Sequence, residues 1–169
     1  NVYSRSPKVK LYLNDKLIGE KETGKENYTA TFDVPYEPGT LKAVNSKGKE
    51  EFVLKTAGAP AAIRLIADRS KIKACKNDLS YVKIELVDKN GNVVPETSLP
   101  VKIECTGKGT VIAGGNAAYA DMESFRSLTP NTFRGKAIAI VQPDGEKGDI
   151  QVKVSAKGLE DASIVITTY

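Results

Sequence analysis

Apolar residues in this chain recur at every second position, and no segment sustains the i, i+3, i+4, i+7 spacing of a helix face. Val9, Leu11 and Leu13 alternate with Lys8, Lys10, Tyr12 and Asn14, Val82, Ile84 and Leu86 with Lys83 and Glu85, and Ile150, Val152 and Val154 with Gln151 and Lys153. Successive side chains of a strand point to opposite faces, so each of these segments has one apolar and one solvated face. Apolar sheet faces must cover one another. The pattern therefore predicts an all-β chain built as sandwiches.

Turn residues punctuate the alternation. Asn14-Asp15 reverses the first strand into Lys16 to Lys21, and Tyr28, Ala30, Phe32 and Val34 form the next inward set. Pro35-Tyr36-Glu37-Pro38-Gly39 stops that strand, since proline has no N–H for a ladder, and Leu41 to Ser46 and Glu50 to Thr56 follow around Lys47-Gly48. Thr56 to Ala62 is the one compositional break, made of small residues with a glycine and a proline and no charge. It predicts a boundary between a small sandwich at 1–58 and a second at 59–169, joined by a short, proline-stiffened linker. In the second part, strands are expected at Ile63 to Ala67, Val82 to Leu86, Leu99 to Thr106, Gly109 to Ala113, Lys136 to Gln142, Ile150 to Val154 and Ser163 to Thr168. Short strands at this spacing point to an immunoglobulin-like sandwich. Gly114 to Thr132 breaks the rhythm. It is long for a connection in a compact sandwich and carries Tyr119, Met122 and Phe125, which predicts a functional loop that packs on something. Asn1 to Ser4 reads as the tail of a strand that starts upstream, so the chain is expected to be a piece of a longer protein.

The chain contains no histidine, which removes imidazole as catalytic base or metal ligand. Asp88 to Asn92 resembles a calcium loop only superficially: position six is Val93 rather than Gly and position twelve is Leu99 rather than Glu, so a hairpin turn is expected. Adjacent carboxylates such as Glu50 and Glu51 or Glu160 and Asp161 would face opposite ways on a strand and could not flank one bond. Lys136 follows Gly135 without a glycine-rich strand-to-helix loop, so no phosphate cradle is indicated. No catalytic, cofactor-binding or metal-binding residue is assigned, and no cofactor. There is no tryptophan to stack on sugars, and the tyrosines are dispersed, with Tyr28 expected in the core. The net charge of +4 is spread along the chain, so no nucleic-acid partner is expected, and no apolar run is long enough to insert into a membrane. Cys105 continues an inward alternation, whereas Cys75 sits beside a polar turn. Their pairing stays open.

The wording of the sequence carries more than its periodicity. Val2-Tyr3-Ser4, Val9 to Asn14, Leu17-Ile18-Gly19 and Val34 to Val44 resemble the small β-sandwich that follows the catalytic barrel in many glycoside hydrolase family 2 β-galactosidases. Ala61 to Leu65, Asp78 to Val82, Val87 to Pro95, Glu123-Ser124-Phe125 and Phe133 to Ala137 leading into Ile140-Val141-Gln142 resemble the bacterial immunoglobulin-like domain that comes next. Asn14-Asp15 stands where that family usually has Asn-Gly. The family's catalytic glutamates lie in its barrel, and none corresponds to a residue here.

The resemblance implies a non-catalytic C-terminal region of a bacterial β-galactosidase-type enzyme, periplasmic or extracellular. Its implied partner is the catalytic barrel of the same polypeptide, with a glycan or a second subunit as further candidates. The interface residues expected are Tyr36, Asn116, Tyr119, Glu123 and Phe125. A carbohydrate-binding pair and an immunoglobulin-like surface stalk are the alternatives. The small sandwich is also expected to depend on its neighbour for stability.

Overall fold

The computed structural model describes residues 1–169, which form strands and turns and no helix. The chain divides into two compact units, Asn1–Thr56 and Ala57–Tyr169.

The first unit contains β1 (Val2–Tyr3), β2 (Lys8–Leu13), β3 (Lys16–Glu22), β4 (Thr29–Ala30), β5 (Thr40–Asn45) and β6 (Glu51–Lys55). Its main sheet has the order β3-β2-β5-β6, and β1 pairs with β4 to start a second layer. Val9, Leu11, Leu13 and Ala30 are buried between the layers. The β2–β3 turn places both Asn14 (φ 49°) and Asp15 (φ 63°) in the left-handed region, the conformation whose twist matches the flanking strands. The Asn14 side chain accepts from the Thr40 N–H at 2.9 Å and donates to the Pro38 carbonyl at 3.2 Å, which pins the Pro35–Gly39 turn to the hairpin. Gly39 must be glycine here: its φ is +142°, and a Cβ would stand 1.8 Å from Asn14 Oδ1.

Two expectations for this unit are corrected. The strand expected over Tyr28 to Val34 is paired only at Thr29–Ala30, because β1 offers just two residues to it. Tyr28 is not core: at φ 52° it ends the preceding turn, its side chain is 47% exposed, and only its carbonyl is engaged, by the Ser4 N–H at 2.9 Å.

The second unit contains β7 (Ala62–Ala67), β8 (Lys71–Ile72), β9 (Ser80–Val87), β10 (Val101–Gly107), β11 (Gly109–Gly115), β12 (Lys136–Pro143), β13 (Gly148–Ala156) and β14 (Ala162–Thr168). Sheets of order β11-β12-β9-β7 and β10-β13-β14-β8 face each other. Val82, Ile84, Leu86, Ala139 and Val141 from the first meet Ile103, Ile150, Val152, Val154 and Ile166 from the second in one continuous core. The short β8 escapes the alternation pattern. After β7 the chain crosses to the opposite sheet, where Lys71–Ile72 runs parallel to Thr167–Thr168. Asp68 holds that crossing, its Oδ1 accepting the N–H groups of Arg69 and Tyr81 at 2.8 Å and the Ser80 hydroxyl at 3.2 Å. Cys105 is half-buried against the core, Cys75 is exposed, and both are free thiols.

Candidate functional site

The segment between β11 and β12 is the irregular feature of the second unit, and the sandwich holds it at both ends. Its return limb lies along the outer edge of β10: the Ile103 N–H donates to the Leu128 carbonyl at 2.8 Å, Val101 to Pro130 at 3.0 Å, and Thr132 to Leu99 at 2.8 Å. Thr132 is buried, and its hydroxyl accepts the Leu99 N–H at 2.9 Å. An edge strand that would otherwise present unpaired N–H and C=O groups is thereby covered. Phe133 and Lys136 then close a tight turn through Arg134 (φ 51°) and Gly135 (φ 71°) into β12.

The tip is tied internally. Asn116 Nδ2 donates to Asp121 Oδ2 at 2.5 Å and to the Asn131 carbonyl at 3.0 Å, while its Oδ1 accepts the Ala118 N–H at 2.7 Å. Asp121 Oδ1 accepts the Glu123 N–H at 2.9 Å, and Glu123 Oε1 accepts the Ser127 hydroxyl at 3.2 Å. The Gly114 N–H donates to the Phe125 carbonyl at 2.8 Å. The Phe125 ring lies on Gly115, where a Cβ would meet Cδ1 at 2.9 Å. A small cleft remains between Gly114–Asn116 and Asp121–Phe125.

This hydrogen-bonded scaffold turns its apolar side chains outward. Tyr119 is 100% exposed, Met122 95% and Phe125 71%. Within this chain these three side chains face solvent. Water is a poor environment for three such side chains on one loop, and side chains held this way suit a docking surface. Of the expected interface residues, the fold brings Asn116, Tyr119, Glu123 and Phe125 onto this loop. Tyr36 belongs to the first unit, where it is exposed on the Pro35–Gly39 turn.

Two polar centres of the second unit carry no signature in the sequence. Asp88, expected only as a turn residue, is buried, and its carboxylate accepts the Gly58 N–H at 2.9 Å, the Asn90 and Asn92 N–H groups at 2.9 Å and the Asn92 side chain at 3.0 Å. The Gly58 bond, followed by the Asn92 side chain, holds its carboxyl well below the usual carboxylate range. That saturated carboxylate anchors the start of the second unit. Glu85 points away from the core yet is buried beneath its neighbours. Burial alone would raise its carboxyl, but Arg64, with Nη2 at 2.6 Å and Nε at 2.8 Å, and Lys83 at 3.3 Å hold it below its ordinary value. Arg64 and Glu85 face each other in the β7–β9 register, so the pair was detectable once the strands were aligned. The structure contains no cluster of three or more Cys, Asp or Glu side chains that could hold a metal ion.

Residues 63–165 match the model of glycoside hydrolase family 2 C-terminal domain 5, and residues 1–52 match a domain of unknown function (DUF4982). The chain is 32% identical over 168 residues to the β-galactosidase BoGH2A of Bacteroides ovatus, covering 98% of this chain and 20% of that protein. It is 28% identical over 171 residues to a β-glucuronidase of Formosa agariphila, covering 98% of this chain and 17% of that protein. The crystal structure of a glycosyl hydrolase family 2 member from Bacteroides cellulosilyticus superposes with a TM-score of 0.91 at 37% identity, covering 98% of this chain and 23% of that one. The chain thus spans about a fifth of the length of the curated relatives it matches.

Proposed function

The chain belongs to the glycoside hydrolase family 2 C-terminal domain 5 family, and from that membership we propose that it is the non-catalytic C-terminal region of a larger glycosidase of β-galactosidase type. In this reading the second sandwich carries the 116–127 loop as a rigid contact onto the catalytic domain of the same polypeptide, close enough to support it or to shape access to its mouth. One observation carries the reading: three exposed apolar side chains stand on a loop whose conformation is already set by its own hydrogen bonds. Docking such a loop costs little ordering entropy, and the contact recovers the apolar area now facing water. The catalytic carboxylates are assigned to the parent's other domains, and the assembly to the periplasm or the cell exterior.

Two measurements test this. The isolated 169-residue chain, incubated with a chromogenic β-galactoside, is expected to give no turnover, and enzyme-like turnover would overturn the reading. In the parent enzyme, Tyr119→Ser and Phe125→Ser are expected to lower thermal stability or kcat/KM, while Val165→Ser, on an exposed strand position, leaves both unchanged. Equal effects of all three would remove the loop from the interface.

A further inference from the structure

The second layer of the first unit has a vacant strand position. Its ladder comprises only Val2 opposite Ala30 and Tyr3 opposite Thr29. Beyond Ala30 the alternation persists, with Phe32 and Val34 half-buried and Thr31 and Asp33 exposed. The Phe32 ring packs over Gly19, 3.6 Å from where a Cβ would be. Yet neither the N–H nor the C=O of Phe32 or Val34 has a backbone partner. Half-buried apolar side chains joined to unpaired backbone groups are a strand edge without its neighbour.

The facing layer is bare in the same region. Register carries the buried face from Leu11 through Ala43 to Phe52 and from Leu13 through Leu41 to Leu54. Leu11 and Leu13 are buried on that face, but Phe52 is 68% and Leu54 55% exposed. Val2, Tyr3 and Ser4 border the open notch together with Phe52.

The geometry points to the occupant: a strand of the same polypeptide, made of the residues immediately before Asn1, extends β1 antiparallel to Phe32–Val34. The existing register specifies the pairing. Val2 faces Ala30, so Asn1 faces Thr31, whose hydroxyl already donates to Asn1 Oδ1 at 2.9 Å. The first residue before Asn1 then faces Phe32 and the third faces Val34. Hydrogen-bonded pairs alternate along an antiparallel ladder, and the Ser4 N–H to Tyr28 carbonyl bond sets their phase. That phase falls on Phe32 and Val34, the residues whose backbone groups are free. Pro35 cannot donate and ends the ladder. The first and third residues before Asn1 share the inward face of Val2, Phe32 and Val34, so they are apolar and shield Phe52 and Leu54; the second is polar. This inference rests on the proposed function only in taking the chain as part of a longer polypeptide, as its 20% share of the Bacteroides ovatus relative's length supports.

The test is residue-resolved hydrogen exchange by NMR on the 169-residue chain and on a longer polypeptide that carries its natural preceding residues. The Phe32 and Val34 amides should exchange freely in the first and slow by about a hundredfold in the second. The Thr31 and Asp33 amides, which point away from β1, should change far less. Val34→Asp should lower the melting temperature of the longer polypeptide more than that of the 169-residue chain. The proposal is overturned by unchanged exchange at Phe32 and Val34, by charged residues at the first and third preceding positions, or by a 169-residue chain that dimerises and protects these amides by itself. A parent without glycosidase activity would sink the functional reading and leave this one standing.

Discussion

Replacing Ile84 with alanine tests the two-sheet core of the second unit at its centre. Ile84 is wholly buried on β9, between Leu65 of β7 and Ala137 of β12, and faces the opposite sheet. The substitution deletes three carbons, about 2.4 kcal/mol of transfer free energy at about 0.8 kcal/mol per buried methylene. If the surroundings did not relax, about 75 Å³ would be left empty, adding about 1.8 kcal/mol at about 24 cal/mol per Å³. The expected loss is therefore about 2.5–4 kcal/mol, and at about 4 °C per kcal/mol the melting temperature falls by about 10–16 °C. Ile138 on neighbouring β12 provides the control. It is 38% exposed on the outer face, and Ile138→Ala should cost about 1 kcal/mol, mostly lost strand preference. Urea unfolding followed by circular dichroism gives both values. Equal losses at the two sites, or an Ile84→Ala loss below about 1 kcal/mol, would mean that the alternation does not sort these strands into an inner and an outer face.

Other outcomes follow from single residues. The Asp88 carboxyl is held low in the folded chain, so its contribution is fully present above the unfolded carboxylate pKa of about 3.9 and is lost as pH falls toward the folded value. Asp88→Asn should therefore be destabilising at neutral pH, with the gap to the unsubstituted chain constant down to about pH 5 and narrowing below about pH 4 in acid-titrated melts; a gap that widens on acidification would contradict this. Arg64→Ala leaves the Glu85 carboxylate with Lys83 alone and should cost about 1–2 kcal/mol, a figure discounted because the guanidinium is partly solvated. Glu85 is also held low, so this loss too should be full at neutral pH and shrink as the carboxylate protonates; a loss independent of pH would assign Arg64 a packing role instead. Gly135→Ala places a Cβ 2.4 Å from the Val94 carbonyl in a left-handed conformation and should cost about 2–4 kcal/mol, whereas a neutral result in thermal melts would show that the turn relaxes freely.

Much of the fold was legible because strand periodicity is a local property. Val82, Ile84 and Leu86 have to face inward whatever sheet they join, and Asn14-Asp15, Lys47-Gly48 and Asn90-Gly91 mark reversals through their own backbone preferences. Tyr28 misled because a positive φ at the mouth of a strand removes one residue from the alternation. The two residues of β8 were too few for a period. The segment from Gly114 to Thr132 stood out by its broken rhythm and its aromatics, but whether those groups lay inside or outside depended on the bonds from Asn116 and Asp121, which no spacing rule encodes.

By itself, then, the sequence determined an all-β chain with a break near Thr56 to Ala62 and no imidazole chemistry, since alternation, turn preference and composition are each set by residues close together in the chain. Only the tertiary structure decided that Asp88 saturates its carboxylate with Gly58 and Asn92, that Arg64 makes a buried Glu85 tolerable, that Pro130 and Leu128 cover the edge of β10, and that Phe32 and Val34 lack a neighbour. Those facts depend on register between strands distant in sequence. A carboxylate's pKa, an edge's cover and a strand's vacancy are properties of what stands opposite.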